Sequence, residues 1–139
     1  MIKKTLFIIL LTVAACQDPI VVCDYEKETI SGEYKLETME VDGDCGSAGT
    51  LNVAVESGVA SPVDWAGCRL VSESWIQGSC TSKSVFECDD GVWQMQLEWS
   101  IIASVENAQN ITGELYAEMS KWNGLYTCSS TYAFEGNKE

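Results

Sequence analysis

From Trp93 to Ile101 every second residue is apolar (Trp93, Met95, Leu97, Trp99 and Ile101), and the residues between them, Gln94, Gln96, Glu98 and Ser100, are polar. A period of two sends successive side chains to opposite faces of an extended strand, one face dry and the other wet. The pattern recurs where Tyr34 and Leu36 alternate with Glu33, Lys35 and Glu37, at Leu51, Val53 and Val55, and at Leu115, Ala117 and Met119. No segment sustains an apolar stripe of helical period, so the chain is expected to be all-β.

Turn residues divide these strands. Asp89-Asp90-Gly91 separates Lys83 to Cys88 from Val92 to Ile102, and Asn123-Gly124 separates Ile111 to Ser120 from Leu125 to Phe134. Asp-Gly and Asn-Gly suit the positive backbone dihedrals of tight hairpins, so the last three long strands should form a meander. Earlier, Ile20 to Tyr25 and Ile30 to Val41 read as strands. Asp42-Gly43-Asp44 reads as a turn, and Ser57-Gly58 with Ser61-Pro62 as the break after the strand through Val53. Trp65 to Cys68 has loop character, while Arg69 to Gln77 holds Leu70, Val71, Trp75 and Ile76 with a change of phase and reads as a weaker strand. Seven or eight antiparallel strands joined by short turns predict a small up-and-down barrel, with a two-layer sandwich as the alternative.

The beginning of the chain has a different design. Lys3 and Lys4 precede an apolar stretch running from Leu6 to Leu11, and the small residues Ala14 and Ala15 precede Cys16. This is the three-part layout of a secretory signal. An apolar run of roughly ten residues is too short for a hydrocarbon core that needs about 20, so cleavage is expected rather than a permanent span. Val13-Ala14-Ala15-Cys16 resembles the lipobox of bacterial lipoproteins. The resemblance implies a signal peptide over 1–15, acyl chains on Cys16 holding the protein to a membrane, a short tether over 16–19, and one β domain over 20–139. It also implies outer-membrane sorting in a Gram-negative cell, because Gln17 rather than aspartate follows the cysteine. Two anchoring signals suffice for stable attachment.

Removing 1–15 leaves 124 residues, the size of a single domain with one core. Losing Lys3 and Lys4 takes the net charge from −13 to −15. Such a surface repels phosphates, which excludes nucleic acid as a partner. The acids are scattered rather than clustered, as for a solvated exterior.

Apart from Cys16, the chain has six cysteines, Cys23, Cys45, Cys68, Cys80, Cys88 and Cys128. An even number in an exported domain predicts three disulfides. Sequence does not choose among the 15 pairings six cysteines allow, except that Cys80 and Cys88 are close, with Ser82-Lys83-Ser84 as a possible reversal between them. A short loop costs the least entropy to close, so a Cys80–Cys88 bridge is expected. Zinc is not expected, since the cysteines lack close pairs and the chain has no histidine.

The same absence removes Ser-His-Asp and Cys-His catalysis, and no carboxylate pair is singled out, so the protein is expected not to be an enzyme and to need no cofactor. Asp42, Asp44, Asp89 and Asp90 fall in turns but lack the spacing of a calcium loop, and aspartate favours turns on its own account. Asn110-Ile111-Thr112 matches a glycosylation acceptor, a coincidence under a bacterial signal.

Trp93, Met95, Leu97, Trp99 and Ile101 either fill the barrel or line a cavity for one small apolar ligand. Ser31-Gly32-Glu33-Tyr34 is loosely similar to the glycine-x-aromatic opening of lipocalin-like barrels, with Tyr34 in place of the usual tryptophan and no evident matching basic residue on the last strand. The expected role is a non-enzymatic, lipid-anchored envelope domain that binds or supports something. The two specific forms are a carrier of a small apolar ligand and a surface module for a protein or glycan.

Overall fold

The computed structural model describes residues 23–62, 67–104, 108–121 and 123–139. Eight antiparallel strands form one sheet: β1 (Gly32–Gly43), β2 (Thr50–Glu56), β3 (Val59–Pro62), β4 (Cys68–Ile76), β5 (Thr81–Asp89), β6 (Trp93–Ala103), β7 (Asn110–Lys121) and β8 (Tyr126–Lys138). The spatial order is β3-β2-β1-β8-β7-β6-β5-β4. Two meanders, β1–β3 and β4–β8, are therefore sewn together by the pairing of the first strand with the last, and the gap lies between β3 and β4. The sheet curls until β3 lies against β5, where Ser82 Oγ donates to Gly58 O. The result is a nearly closed barrel, not a sandwich.

The alternation read from sequence sets the faces. Tyr34, Leu36, Val53, Val55, Phe86, Leu97, Trp99, Ile101, Leu115, Ala117, Tyr132 and Phe134 are buried inside. The outer face carries Lys35, Glu37, Lys83, Glu98 and Glu114, the reverse of the apolar band a membrane-spanning barrel presents to lipid. Among the described residues Trp99 is the largest buried side chain, and it meets Phe134 edge to face at 5.6 Å. Gly113 makes that contact possible: a Cβ there would stand 1.9 Å from Ser100 O and 2.8 Å from the Phe134 ring.

A 3-10 turn, η1 (Lys27–Ile30), closes one end of the barrel with Ile30 fully buried. Tyr34 holds it there. Its hydroxyl lies 2.9 Å from Ile30 O and 3.1 Å from Ala108 O, and Lys138 Nζ sits 5.9 Å from the ring centre. Lys138, on the last strand, is thus a basic neighbour of the Tyr34 ring that sequence inspection did not single out. Burial, with a smaller push from Tyr25, raises the Tyr34 phenol from its ordinary value near 10 to about 12. The neutral phenol is the form the fold favours, so its stabilisation is intact below pH 10 and is lost as the pH rises towards 12. Tyr34→Phe is expected to cost about 1–2 kcal/mol at neutral pH. Urea titrations between pH 8 and 12 should show the variant falling less steeply above pH 10 than the parent.

Several expectations are corrected. Cys23 to Tyr25 is not a strand, and Ile20 to Val22 lies outside the described residues. Ser61-Pro62 belongs to β3 and pairs with Val53 and Ala54. Ser82-Lys83-Ser84 runs straight through β5, so Cys80 and Cys88 lie eight residues apart along one extended segment, about 25 Å at strand rise. They cannot pair with each other. The bridges are Cys23–Cys80, Cys45–Cys128 and Cys68–Cys88, with Cα separations of 5.4, 5.2 and 3.9 Å. The phase change read in β4 is real, a register shift between Leu70 and Ser72.

Candidate functional site

All strands end at one of two rims. The rim closed by η1 also holds Cys23–Cys80 and the short turn Gln77–Ser79 between β4 and β5. The opposite rim carries the β5–β6 and β7–β8 hairpins, the Asp44–Gly49 loop and the other two disulfides. The exposed apolar side chains of the hairpin tips collect at this second rim.

The two hairpins are neighbours because β6 pairs with β7, bringing Trp93 opposite Lys121 and, through β8, Lys121 opposite Tyr126. The Trp93 and Tyr126 rings meet edge to face at 5.8 Å, and Lys121 Nζ lies 4.8 Å from the Trp93 ring centre. Leu125 at 88% exposure and Val92 at 53% project from the adjoining turns. The turns themselves are tightly made. Asp90 accepts from the backbone of Val92 and Trp93 at 2.9 and 2.7 Å, and these bonds hold its carboxyl below the usual range. Asn123 and Gly124 both adopt positive φ, as an Asn-Gly hairpin requires. Rigid tips of this kind present their side chains without a large ordering cost.

Beneath the tips, Cys88, Met95, Met119 and Cys128 form one inward row across four strands. The Asp44–Gly49 loop packs at this rim, tied by Cys45–Cys128, by Tyr132 Oη to Gly46 O at 2.7 Å, and by Glu40, which accepts from Gly46 N at 2.8 Å and Ser130 Oγ at 2.7 Å.

Of the row read from sequence as a ligand wall, Leu97, Trp99 and Ile101 are core, at 0%, 2% and 1% exposure, and only Trp93 and Met95 are half-buried at the rim. The recess beside them, about 910 Å³, follows the outside of the sheet. Its lining includes Arg69, Glu87, Gln96, Glu118 and Ser129, a continuous outward row from β4 to β8. A second recess, about 580 Å³, lies over Lys35, Glu37, Thr112, Glu135 and Asn137, also outward positions. The buried Ser84 Oγ and Trp99 Nε1, on paired residues of β5 and β6, make no hydrogen bond.

Of the four aspartates read as turn residues, Asp44, Asp89 and Asp90 are occupied structurally, whereas Asp42 belongs to β1. Asp89 accepts from Gly91 N at 2.9 Å, and Asp44 accepts from Ser129 N at 3.0 Å. Asp42 is exposed at the end of β1. Asp44 stands close to Cys45 and Cys128, but both sulfurs are spent in one disulfide and offer no thiolate to a metal. The six cysteines other than Cys16 are all bridged, and Cys16 lies outside the described residues. Every tyrosine with a displaced phenol is displaced upward. Burial leads at Tyr25, Tyr34 and Tyr132, and a hydrogen bond to Glu118 leads at Tyr116. These phenols are held protonated at neutral pH and can donate hydrogen bonds.

Sequence reading missed Val92, Lys121, Leu125 and Tyr126. The usable signal was an apolar residue placed directly after each Gly of a hairpin turn, Gly91-Val92 and Gly124-Leu125, where polar residues are the rule. No family model, curated protein or solved structure matches this chain.

Proposed function

We propose that the protein is a lipoprotein of the bacterial envelope, carried in Gram-negative cells on the outer membrane, whose barrel is a non-enzymatic binding module acting through its hairpin tips. The observation that carries this reading is the cluster of Trp93, Tyr126, Leu125 and Val92 on two adjacent rigid turns above a barrel filled by Trp99, Leu97 and Phe134. Aromatic and aliphatic side chains gathered at one surface are the usual anchors of recognition. Ligands of this class are a protein or glycan surface, met by stacking on Trp93 and Tyr126. The anionic remainder favours a partner with a cationic rim.

Support for the anchor comes from Lys3, Lys4, the apolar run and Val13-Ala14-Ala15-Cys16. The absence of histidine and the bridging of the six other cysteines support a role without covalent catalysis. Native mass spectrometry of the mature protein from its own host tests the reading. The expected mass is one acylated chain with three disulfides and no retained small molecule. An apolar molecule held at one per chain would instead establish the carrier role. Titrating candidate glycans and envelope proteins against tryptophan emission should then give a response that Trp93→Ala and Leu125→Asp remove. Both substitutions are expected to leave the core stability within about 1 kcal/mol, as rim changes usually do.

A further inference from the structure

We infer that the barrel stands on the lipid surface by its η1-closed rim, with Ile76 and Ile102 touching the headgroup region and the hairpin tips held outward. This inference rests on the lipoprotein reading of Cys16 and extends it to orientation.

Two independent observations carry it. The first is the length of the tether and its landing point. Cys23 is fixed at the closed rim twice, by its bridge to Cys80 and by its backbone N–H, 3.2 Å from Gly78 O. Seven residue steps separate it from Cys16, which at full extension reach about 25 Å. Acyl chains on Cys16 therefore keep this rim within about 25 Å of the bilayer. The hairpin tips lie a full strand length from this rim, since β6 and β7 run from one rim to the other.

The second is the chemistry of the closed rim. Ile76 and Ile102 are 49% and 48% exposed on the outer face. They are not scattered. The register runs Ile76, Thr81, Ile102, Thr112 across β4 to β7, so the two isoleucines flank Thr81 in one row, about 10 Å apart at the spacing of neighbouring strands. Ile76 also adjoins the Gln77–Ser79 turn that receives Cys23. An apolar pair at the rim nearest the anchor suits the interfacial zone, where a tethered domain gains from burying even small apolar area. Exposed Asp24, Glu26 and Glu28 beside the tether repel anionic headgroups and keep the contact shallow.

The test is hydrogen–deuterium exchange on the acylated full-length product in vesicles of phosphatidylethanolamine and phosphatidylglycerol, compared with the soluble Cys16→Ser mature domain. Amides of residues 76–79 and 102–104 should exchange several-fold more slowly on vesicles, and those of 91–92 and 123–125 should be unchanged. Ile76→Ser with Ile102→Ser should remove the slowing while acylation persists. Slowing at the hairpin tips instead, or no local slowing in protein whose mass shows an acylated Cys16, overturns the orientation. A mass without acyl chains overturns the lipoprotein reading itself, and the orientation falls with it.

Discussion

Replacing Cys45 and Cys128 together by alanine is expected to lower the unfolding free energy by about 4–5 kcal/mol. The bridge spans 83 residues of sequence, the longest of the three separations. In the chain-entropy account a cross-link stabilises by shrinking the unfolded ensemble, with a logarithmic dependence on loop length. The same account gives about 4 kcal/mol for Cys23–Cys80 and about 3 kcal/mol for Cys68–Cys88, whose sequence separations are 57 and 20. Domains of this size are stable by about 5–15 kcal/mol in total. Full reduction should therefore unfold the domain at room temperature, although the loops closed by Cys23–Cys80 and Cys45–Cys128 overlap and their effects will not add completely. Urea titrations of the three double variants, followed by tryptophan emission, give the order directly. A Cys68/Cys88 variant less stable than the Cys45/Cys128 variant would show that local strand latching outweighs chain entropy.

Trp99→Ala should cost about 3–5 kcal/mol. The ring is 2% exposed, packs edge to face on Phe134, and sits between Ser84 and Leu115 in the central inward row. Its removal leaves a void that neighbouring strands, hydrogen-bonded on both sides, cannot close. Trp99→Phe should cost well under half as much, because the indole N–H it deletes has no partner to lose. Trp93→Ala, three steps of the same alternation towards the rim, should leave the midpoint nearly unchanged. Equal losses at Trp93 and Trp99 would show that the rim aromatics belong to the core and are not a presented surface.

The contrast between these two tryptophans explains how far the sequence reaches. Both lie on the same face of β6 by parity, and parity is a local property that any alternating segment displays. Depth along the barrel axis is not local. It depends on which strands stand opposite, and β1 with β8, which pair although one opens and the other ends the domain, decide it. The row from Trp93 to Ile101 therefore read correctly as one face but could not be divided into core and rim. Similarly, Lys138 became a neighbour of Tyr34 only through β1–β8 pairing, with 104 positions of chain between them.

The cysteines show the same limit. Cys80–Cys88 had the lowest loop entropy, and that argument holds only where the intervening chain can reverse. Ser82 and Ser84 are small and polar yet buried on the inner face of β5, where Ser82 donates to Gly58 O across the barrel and Ser84 is paired with Trp99 in the inward row. Their polarity suggested a turn, and tertiary packing made them strand.

The sequence by itself determined the all-β class, the faces of the long strands, the Asp-Gly and Asn-Gly hairpins, and the even cysteine count, since each follows from side-chain period, backbone preference or composition within a few residues. Only the tertiary structure decided the closure of the sheet by β1 and β8, the three disulfide pairs, the sealing of one rim by Ile30 and Tyr34, and the gathering of Trp93, Lys121, Leu125 and Tyr126 at the other. Those features join residues far apart in the chain, and the free energy that selects them comes from burying one continuous core, which no single segment can specify.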